Sequence, residues 1–407
     1  MKKLFVFISA LSTICISANA IYGAQYWAKT YGRSSWGNRA NSIRQTADGG
    51  YIVAGSIYSY SFGTDNKDAL VLKLNSYGTI SWQKTYGGSE DDGAYFIEQT
   101  LDKGFIVAGF TQSFGAGGTD FWVLKLDGSG DITWQKTYGG SDLDNISSIQ
   151  KTSDGGYIMA GNTYSFGTGD CDAWVLKLDG SGNVSWQKTY GGSDWDEAVA
   201  ILQTADGGYI LAGDTSSFNN GALWVLKLDG SGNISWQKAY GDSYYHWLKS
   251  ARSIQKTSDG GYIVVAATPG YFPEGIWIFK LDSYGDVYWQ KIYLWGNVDD
   301  FKDVYSMQQT SDGGYILVGY NENWYTQGIN IKILKLDSDG NISWQKGTYE
   351  GQSKAFSIHQ ITDGGYILAG YTSIPAYTRK NLIVMVKFLI AILLVLFMLK
   401  SLITLPL

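Results

Sequence analysis

The sequence predicts an all-β fold, a seven-bladed β-propeller built from four-stranded antiparallel blades. Three observations lead to this prediction: a repeat of roughly fifty residues, four strand patterns within each copy, and a strand missing at one terminus and present at the other. The composition agrees with it. The chain has 52 glycines, 4 prolines and 15% aromatic residues, which suits short strands joined by tight turns.

Two markers define the repeat. Asp102 begins the variant Asp-Lys-Gly-Phe-Ile of the first marker, and Trp27 is a degenerate first copy of the second marker, Trp-Gln-Lys. Strand-rich repeats of this length are typical of propeller blades. The full first marker, Asp-Gly-Gly-Tyr-Ile, begins at Asp48, Asp154, Asp206, Asp259, Asp312 and Asp363. The full second marker contains Trp82, Trp134, Trp186, Trp236, Trp289 and Trp344.

Each copy contains four strand patterns. They are short, rich in Ile, Val, Tyr, Trp or Thr, and separated by turn residues such as Asp154-Gly155, where glycine supplies the positive φ of a tight hairpin turn. No long stretch has the periodicity of about 3.6 residues that marks an amphipathic helix. We therefore expect four antiparallel strands in every blade. In the third copy they cover residues 148–152, 157–161, 173–178 and 184–190.

The two ends of the repeat region predict how the ring closes. The last copy has strand patterns at 357–361, 366–370 and 382–388, and an apolar tail then replaces its fourth strand. Residues 26–31 form an orphan fourth-strand pattern before the first complete copy. Three strands from one end and one from the other would make a whole blade without an open sheet edge. We expect the N-terminal strand to complete the last blade.

The termini predict export. Lys2 and Lys3 precede an apolar run that ends near Ala18-Asn19-Ala20, the pattern of a signal peptide over residues 1–20, with an uncleaved anchor as the alternative. The propeller is expected over 21–388. Residues 389–407 form a hydrophobic tail, which is either a membrane anchor or the degraded end of a repeat. We expect a secreted or cell-surface protein, membrane-anchored at its C-terminus if the tail is an anchor.

The residue inventory excludes several classes of function. A net charge of −6 offers no basic surface for nucleic acid. Only two histidines are present, His246 and His359, which disfavours a histidine zinc site, and we expect His359 to be a packed strand residue. Cys171 is the single cysteine outside the predicted signal, so no intramolecular disulfide is expected. Nucleotide loops and serine-hydrolase motifs are absent from the sequence. We expect a monomer.

The segments 174–188 and 224–238 carry a family resemblance. Their pattern Trp-Val-Leu-Lys-Leu-Asp, a glycine turn and Trp-Gln-Lys resembles the repeat of the quinoprotein (PQQ-repeat) dehydrogenase-like propellers. The chain also looks like secreted prokaryotic β-propellers of Asp-Gly-Gly-Tyr-Ile-type repeats. The resemblance implies the scaffold. It does not extend to the cofactor site, since the adjacent cysteines expected of quinone-dependent dehydrogenases are missing, and we expect no quinone cofactor.

Topology gathers a set of aspartates on one face. With four antiparallel strands, the loops between the second and third strands and those between blades emerge together, and we call this the loop face. One interpretation is that its repeated aspartates accept hydrogen bonds from loop amides. The alternatives are calcium ligands, the one cofactor considered, and paired carboxylates for glycoside cleavage. These residues are Asp68, Asp92, Asp120, Asp144, Asp172 and Asp196.

Departures from the repeat place aromatic residues on the same loop face. Exposed aromatic rings beside Asn and Asp suit sugar stacking or peptide contact, and local packing against glycine-rich loops is the alternative. The candidate ligand-binding residues are Trp195, Tyr244, Tyr245, Trp247, Trp295, Trp324 and Tyr325.

The functional prediction is a non-catalytic binding or interaction scaffold whose loop face holds a carbohydrate or protein ligand. Two alternatives stay open. One is a carbohydrate-active hydrolase that uses loop-face carboxylates. The other is a membrane-tethered component of an envelope assembly, which requires the tail to be an anchor. The motifs identify a fold and leave the activity undefined.

Overall fold

The computed structural model contains only β-strands as regular secondary structure in the residues that it describes. These residues are 27–31, 38–59, 66–218, 222–241, 250–268, 275–294, 301–323, 328–347, 352–373 and 381–388. The predicted signal peptide, 1–20, and the tail, 389–407, lie outside them, so the predicted domain limits stay predictions. Within the described residues, no helix is long and apolar enough to span a membrane.

The described residues form twenty-eight strands, numbered in chain order. They are β1 (Trp27–Tyr31), β2 (Arg39–Gln45), β3 (Tyr51–Ser59), β4 (Asn66–Leu74), β5 (Ile80–Tyr86), β6 (Asp92–Gln99), β7 (Phe105–Thr111), β8 (Asp120–Leu126), β9 (Ile132–Tyr138), β10 (Asp144–Lys151), β11 (Tyr157–Thr163), β12 (Asp172–Leu178), β13 (Val184–Tyr190), β14 (Asp196–Gln203), β15 (Tyr209–Thr215), β16 (Ala222–Leu228), β17 (Ile234–Tyr240), β18 (Ser250–Lys256), β19 (Tyr262–Thr268), β20 (Gly275–Leu281), β21 (Val287–Leu294), β22 (Asp303–Gln309), β23 (Tyr315–Asn323), β24 (Gly328–Leu336), β25 (Ile342–Gly347), β26 (Gln352–Gln360), β27 (Tyr366–Ser373) and β28 (Asn381–Phe388).

The first five complete repeats form four-stranded antiparallel blades in sequence order. In the second of them, β7 and β8 are buried almost throughout, whereas β9 alternates between exposed and half-buried residues. This follows from the sequence, because the second and third strands are continuous apolar runs covered on both faces, and the fourth carries Ser or Thr, Gln and Lys. The first strand faces the centre of the molecule and the fourth faces outward.

The prediction of seven separate blades is wrong, because the described strands form six sheets: five four-stranded blades and one eight-stranded sheet. In the last sheet, Ile329 of β24 pairs in parallel with Gln352 of β26. Parallel bridges also join Thr119 to Leu143 and Cys171 to Trp195 in earlier repeats. Those two bridges lie outside the strands and so do not join two sheets. Strands β24 and β26 each run for nine residues, so the bridge falls within them and merges two repeats.

The N-terminal strand does not complete a separate last blade, and that prediction is also wrong. Strand β1 pairs antiparallel with β28, from Trp27 opposite Lys387 to Tyr31 opposite Ile383, and so lies in the eight-stranded sheet. The last repeat contacts the first through β26 and β27, which pack against β2. A hydrogen bond from the Thr362 amide to Gln45 Oε1 (3.0 Å) crosses the same junction.

A tryptophan–tyrosine latch fastens neighbouring repeats. The Trp82 ring lies against Gly130, where a Cβ atom would be 2.9 Å from the ring, and the Tyr86 hydroxyl donates to the Gly130 carbonyl at 2.6 Å. Both rings come from the fourth strand of one repeat and the glycine from a turn of the next. The same latch joins Trp27 and Tyr31 to Gly78, Trp134 and Tyr138 to Gly182, Trp186 and Tyr190 to Gly232, Trp236 and Tyr240 to Gly285, and Trp289 and Tyr293 to Gly340.

An ion pair braces the tight turn between the first and second strands in six of the repeats. Lys125 Nζ lies 2.7 Å from Asp102 Oδ2, while the Thr100 hydroxyl and the Gly104 amide donate to Asp102 Oδ1. The lysine is the one in the repeated Leu-Lys-Leu of the third strand, so the third strand holds the turn between the first two. The equivalent pairs are Asp48–Lys73, Asp154–Lys177, Asp206–Lys227, Asp259–Lys280 and Asp312–Lys335.

Candidate functional site

The predicted loop-face aspartates are buried and brace the loops. Asp144 Oδ2 accepts hydrogen bonds from the Gly140 amide (2.8 Å) and the Ser165 hydroxyl (2.8 Å), and so ties two loops to the start of a first strand. Asp92 and Asp196 make the same pair of contacts in their own loops. These are the loop hydrogen bonds of the first interpretation.

The aspartates also meet in pairs across three junctions. Asp120, from a third strand, and Asp144, from the next first strand, flank Gly139, on which a Cβ atom would lie 1.7 Å from Asp120 Oδ1 and 2.8 Å from Asp144 Oδ2. The glycine of the Tyr-Gly-Gly loop is therefore required by this close approach. Burial, together with the neighbouring Asp144, raises the pKa of Asp120. The equivalent pairs are Asp68–Asp92 at Gly87 and Asp172–Asp196 at Gly191.

Calcium at these pairs stays a prediction. Asp120 Oδ1 and Asp144 Oδ1 are buried without a hydrogen-bond partner within the described residues, and such oxygens fit a hard cation. However, no three acidic, histidine or cysteine side chains of the described residues come together as a metal-binding group, whereas calcium takes about six to eight oxygen ligands.

Of the predicted aromatic residues, Trp195 lies in the described part of the chain. The residue is 43% exposed and its ring meets Tyr164 edge to face at 5.6 Å, so it combines local packing with an open surface. The other candidates fall outside the described residues and stay predictions. They are Tyr244, Tyr245, Trp247, Trp295, Trp324 and Tyr325.

The first strands of the repeats meet around the centre of the molecule. Strands β2, β6, β10, β14, β18, β22 and β26 each contact the next, and β26 contacts β2. At their loop-face ends, one residue of each first strand pairs across to one residue of the second strand. The pairs are Arg39–Ser56, Gly93–Phe110, Asn145–Asn162, Glu197–Asp214, Ser250–Ala267, Asp303–Tyr320 and Lys354–Tyr371.

These paired positions differ in almost every repeat, while the next residue of each first strand varies much less. The residue after each first-strand position is small or aliphatic and buried, as in Ala40, Ala94 and Ala355. The paired positions instead carry positive, negative, amide and aromatic side chains. The positions two residues further along each first strand also differ from repeat to repeat. They are Asn41, Tyr95, Ser147, Val199, Arg252, Tyr305 and Phe356.

We call the polar and aromatic members of this set in the last four repeats, together with Arg39 of the first, the central cluster. It is Arg39, Glu197, Asp214, Ser250, Arg252, Asp303, Tyr305, Tyr320, Lys354, Phe356 and Tyr371, and it lies where the first strands converge.

One half of the central cluster is a chain of polar contacts. Asp214 accepts hydrogen bonds from the Ser250 hydroxyl (2.9 Å) and the Ala251 amide (2.8 Å). Arg252 donates to the same hydroxyl. It also donates to both carboxylate oxygens of Asp303, from Nε to Oδ1 at 2.9 Å and from Nη2 to Oδ2 at 3.3 Å. Three successive repeats are thus linked by directional bonds, which fixes the shape of this side of the cluster.

The other half is aromatic and cationic. Tyr305 stacks on Tyr320 with ring centres 5.7 Å apart and meets Phe356 edge to face at 4.9 Å, and Phe356 lies 5.8 Å from Tyr371. Lys354 Nζ sits 3.7 Å from the centre of the Tyr320 ring. These distances are those of aromatic and cation–π pairs.

Burial shifts the titration of the central cluster. Desolvation raises the pKa of Asp214 to about 7, with a further contribution from Glu197 opposite it. Desolvation also raises the pKa of Tyr320 to about 12 and lowers the pKa of Lys354. Water is thus partly excluded from this region, which strengthens any electrostatic contact made in it.

Sequence reasoning missed the central cluster, although a signal was present. The departures from the repeat noted in the sequence were in the loops. The varied positions of the central cluster lie within the first and second strands, beside positions that change little. Aligning the repeats of this one chain against each other would have found them.

The comparisons with known proteins bear on the fold alone. No protein-family model and no curated protein matches the chain. The structure is similar to that of polysaccharide lyase Uly1, at 10% sequence identity and a TM-score of 0.51, over 91% of this chain and 94% of that one. It is also similar to the β-propeller domain of the Trilobed protease from Pyrococcus furiosus, at 10% identity and 0.48, over 87% and 94%.

A third similar structure is a protein of unknown function from Bacteroides caccae, at 12% identity and a TM-score of 0.43, over 69% of this chain and 90% of that one. The fold is a β-propeller. The narrower resemblance to PQQ-repeat propellers stays a prediction.

Proposed function

We propose that this β-propeller is a non-catalytic binding module that holds a glycan at the central cluster. One observation carries the proposal: the cross-strand positions that vary from repeat to repeat meet at one place, while the positions that build the scaffold are repeated. A purely structural ring has no need for seven different side chains at equivalent places. Ligand recognition does, because it requires particular donors, acceptors and ring faces.

The chemistry of the central cluster favours a sugar among possible ligands. Tyr305, Phe356 and Tyr371 are half-buried rings that can offer a face to a pyranose. Asp303 and Arg252 provide acceptors and donors held in place by their mutual bonds. Ordered polar groups around aromatic faces are what a polyhydroxylated ligand needs in order to replace its hydration.

A glycan and polysaccharide binding screen of the full chain tests this proposal. Phe356→Ala is expected to weaken the binding of any captured glycan about tenfold or more, because it removes a central ring face. Tyr288→Ala, on the outward-facing strand β21 where the side chain is 75% exposed, is the matched control and should bind as the wild type does. Equal loss in both variants, or no glycan bound at all, would contradict the proposal.

A hydrolase is the second candidate, and one observation favours it. Asp214, with its raised pKa, lies directly opposite Glu197 on the neighbouring strand. Glycoside cleavage uses two carboxyl groups, one of which has a raised pKa and donates a proton to the leaving group. Release of reducing ends from a bound glycan, abolished in both Glu197→Gln and Asp214→Asn, would establish it. Binding without turnover would leave the non-catalytic module.

We further propose that the module works outside the cytoplasm. The support is the lysine-led apolar run of residues 1–20, the pattern of an export signal. N-terminal sequencing of the exported protein should begin at Ile21.

A further inference from the structure

Two cations of the central cluster sit side by side without an acidic partner. Arg39 and Lys354 occupy equivalent first-strand positions in the first and last repeats, on β2 and β26, which contact each other. Among the described residues, neither forms an ion pair with a carboxylate, and Lys354 Nζ lies 3.3 Å from the Tyr305 hydroxyl. Two like charges are therefore held together at one side of the ring.

Aromatic rings hold both cations in place. The Arg39 guanidinium lies 5.6 Å from the centre of the Phe356 ring. Lys354 lies over Tyr320 and, at 5.8 Å, over Tyr305. A ring face orients a cation and accepts none of its N–H groups in a strong hydrogen bond, so the N–H groups of Lys354 other than the one directed at the Tyr305 hydroxyl can reach a ligand.

The other cations of this region are neutralised. Arg252 is paired with Asp303, and Lys302 is paired with Glu322. Arg39 and Lys354 thus differ from their neighbours in having aromatic contacts where the others have carboxylates. Asp303 and Glu322 are near enough to attract Lys354, but each forms its ion pair with another cation, so an anion that binds between Arg39 and Lys354 still gains Coulomb energy.

Two carboxyl groups of the central cluster that form no ion pair among the described residues lie on the far side of the ring. Glu197 and Asp214 are on β14 and β15, and β14 is three first strands away from both β2 and β26 around the ring. The central cluster therefore has Arg39, Lys354 and aromatic rings on one side and Glu197 and Asp214 on the other. An asymmetric ligand entering it would be turned so that its anionic group faces Arg39 and Lys354.

We propose that the ligand of the central cluster is an acidic glycan, and that Arg39 and Lys354 bind its carboxylate or sulfate group while Phe356 and Tyr371 contact the sugar ring. This rests on the proposed function. Arginine matches the two oxygens of a carboxylate or sulfate with its planar fork, and lysine adds a compact charge. Burial lowers the pKa of Lys354, and a bound anion would raise it again.

Calorimetry with matched glycan pairs tests the inference on the full chain at one fixed physiological salt concentration. The carboxylate pair is oligogalacturonate and its fully methyl-esterified form, and the sulfate pair is dextran sulfate and dextran. We expect the anionic member of at least one pair to bind about tenfold tighter than its neutral partner, a difference of ~1.4 kcal/mol. Which pair shows the preference identifies the group.

Three variants separate a specific site from bulk charge. Arg39→Gln and Lys354→Met should each reduce the preference for the anionic member by about tenfold. Lys256→Met removes the same charge at the exposed opposite end of a first strand and should leave the preference within about twofold. Thermal unfolding of each variant, compared with the wild type, confirms that the fold is retained.

Three other results of these experiments would contradict the inference, the proposed function or both. If Lys256→Met reduces the preference for the anionic glycan as much as Arg39→Gln does, the attraction is non-specific and the inference fails. If neutral and anionic members bind equally and Phe356→Ala still weakens them, the glycan site stands and its anionic preference is wrong. If no glycan of the screen or of either pair binds, the proposed function and this inference both fail.

Discussion

At the residue scale, the fold depends on glycines that a neighbouring repeat covers. Gly130 has a φ of +82° and lies under the Trp82 ring, so its lack of a side chain serves both the turn and the contact between repeats. Gly155 has almost the same φ, +83°, but no atom lies within 4 Å of the place where its Cβ would be. Substituting alanine at each of the two positions therefore separates the cost of backbone strain from the cost of lost packing.

Gly155→Ala is expected to lower the free energy of unfolding by about 1 kcal/mol, the cost of a left-handed residue with a Cβ. Gly130→Ala should lower it by about 1–3 kcal/mol more, since the Trp82 ring must also move. Urea unfolding of the two variants and the wild type measures the difference. Equal losses in the two variants would show that the latch contributes nothing.

At the scale of the element, the hairpin between the first and second strands is held by the third strand. The hydrogen bond from Lys125 and that from Thr100 lower the pKa of Asp102 to about 2, and the Lys125 side chain is only 10% exposed. A carboxyl whose pKa is lower in the folded protein stabilises it above the unfolded pKa of about 3.9 and loses that effect as the pH falls towards 2. The repeats multiply this dependence, because the aspartates of the equivalent turns have the same lowered pKa.

Asp102→Asn is therefore expected to be less stable than the wild type at pH 7 and equally stable near pH 2. The loss at pH 7 should be below about 1 kcal/mol, because the Asp102 side chain is 64% exposed and solvent screens the pair. Urea midpoints at pH 7, 4 and 2.5 measure it. A difference that persists unchanged at pH 2.5 would assign the effect to the turn geometry instead of the ion pair.

At the scale of the whole molecule, the first described strand and the last repeat meet the first complete repeat at one junction. Trp27 from β1 is 7% exposed, packs edge to face on Tyr51 at 5.6 Å and lies against Gly78. Ile361, Ile367 and Ala369 of the last repeat share a buried cluster with it. No covalent bond is needed there, because the packing matches that between other neighbouring repeats.

Trp27→Ala is expected to cost about 3–5 kcal/mol, the usual loss for a buried tryptophan. Since every repeat contacts two others, we expect calorimetry to show a single unfolding transition at lower temperature. An unchanged main transition preceded by a small early one would mean that this junction opens independently of the rest.

Much of this architecture could be predicted from the chain alone, and for local reasons. The turn at Asp154-Gly155, the buried apolar second and third strands and the aspartates at Asp92, Asp144 and Asp196 each follow from a few adjacent residues. The tryptophans of the second marker recur at the same point in each copy, but their contact with the next repeat is seen only in the structure. Local pattern is sufficient where the physical cause is local.

The sequence by itself determined an all-β propeller of repeated four-stranded units, because turn chemistry and strand patterns act over a few residues and then recur. Tertiary structure alone decided how the sheets are counted and where the varied positions meet. Strands β24 and β26 merge two repeats through one parallel bridge, and Arg39 approaches Lys354 across 315 positions of the chain. Such contacts depend on how distant segments lie in space, which no local pattern encodes.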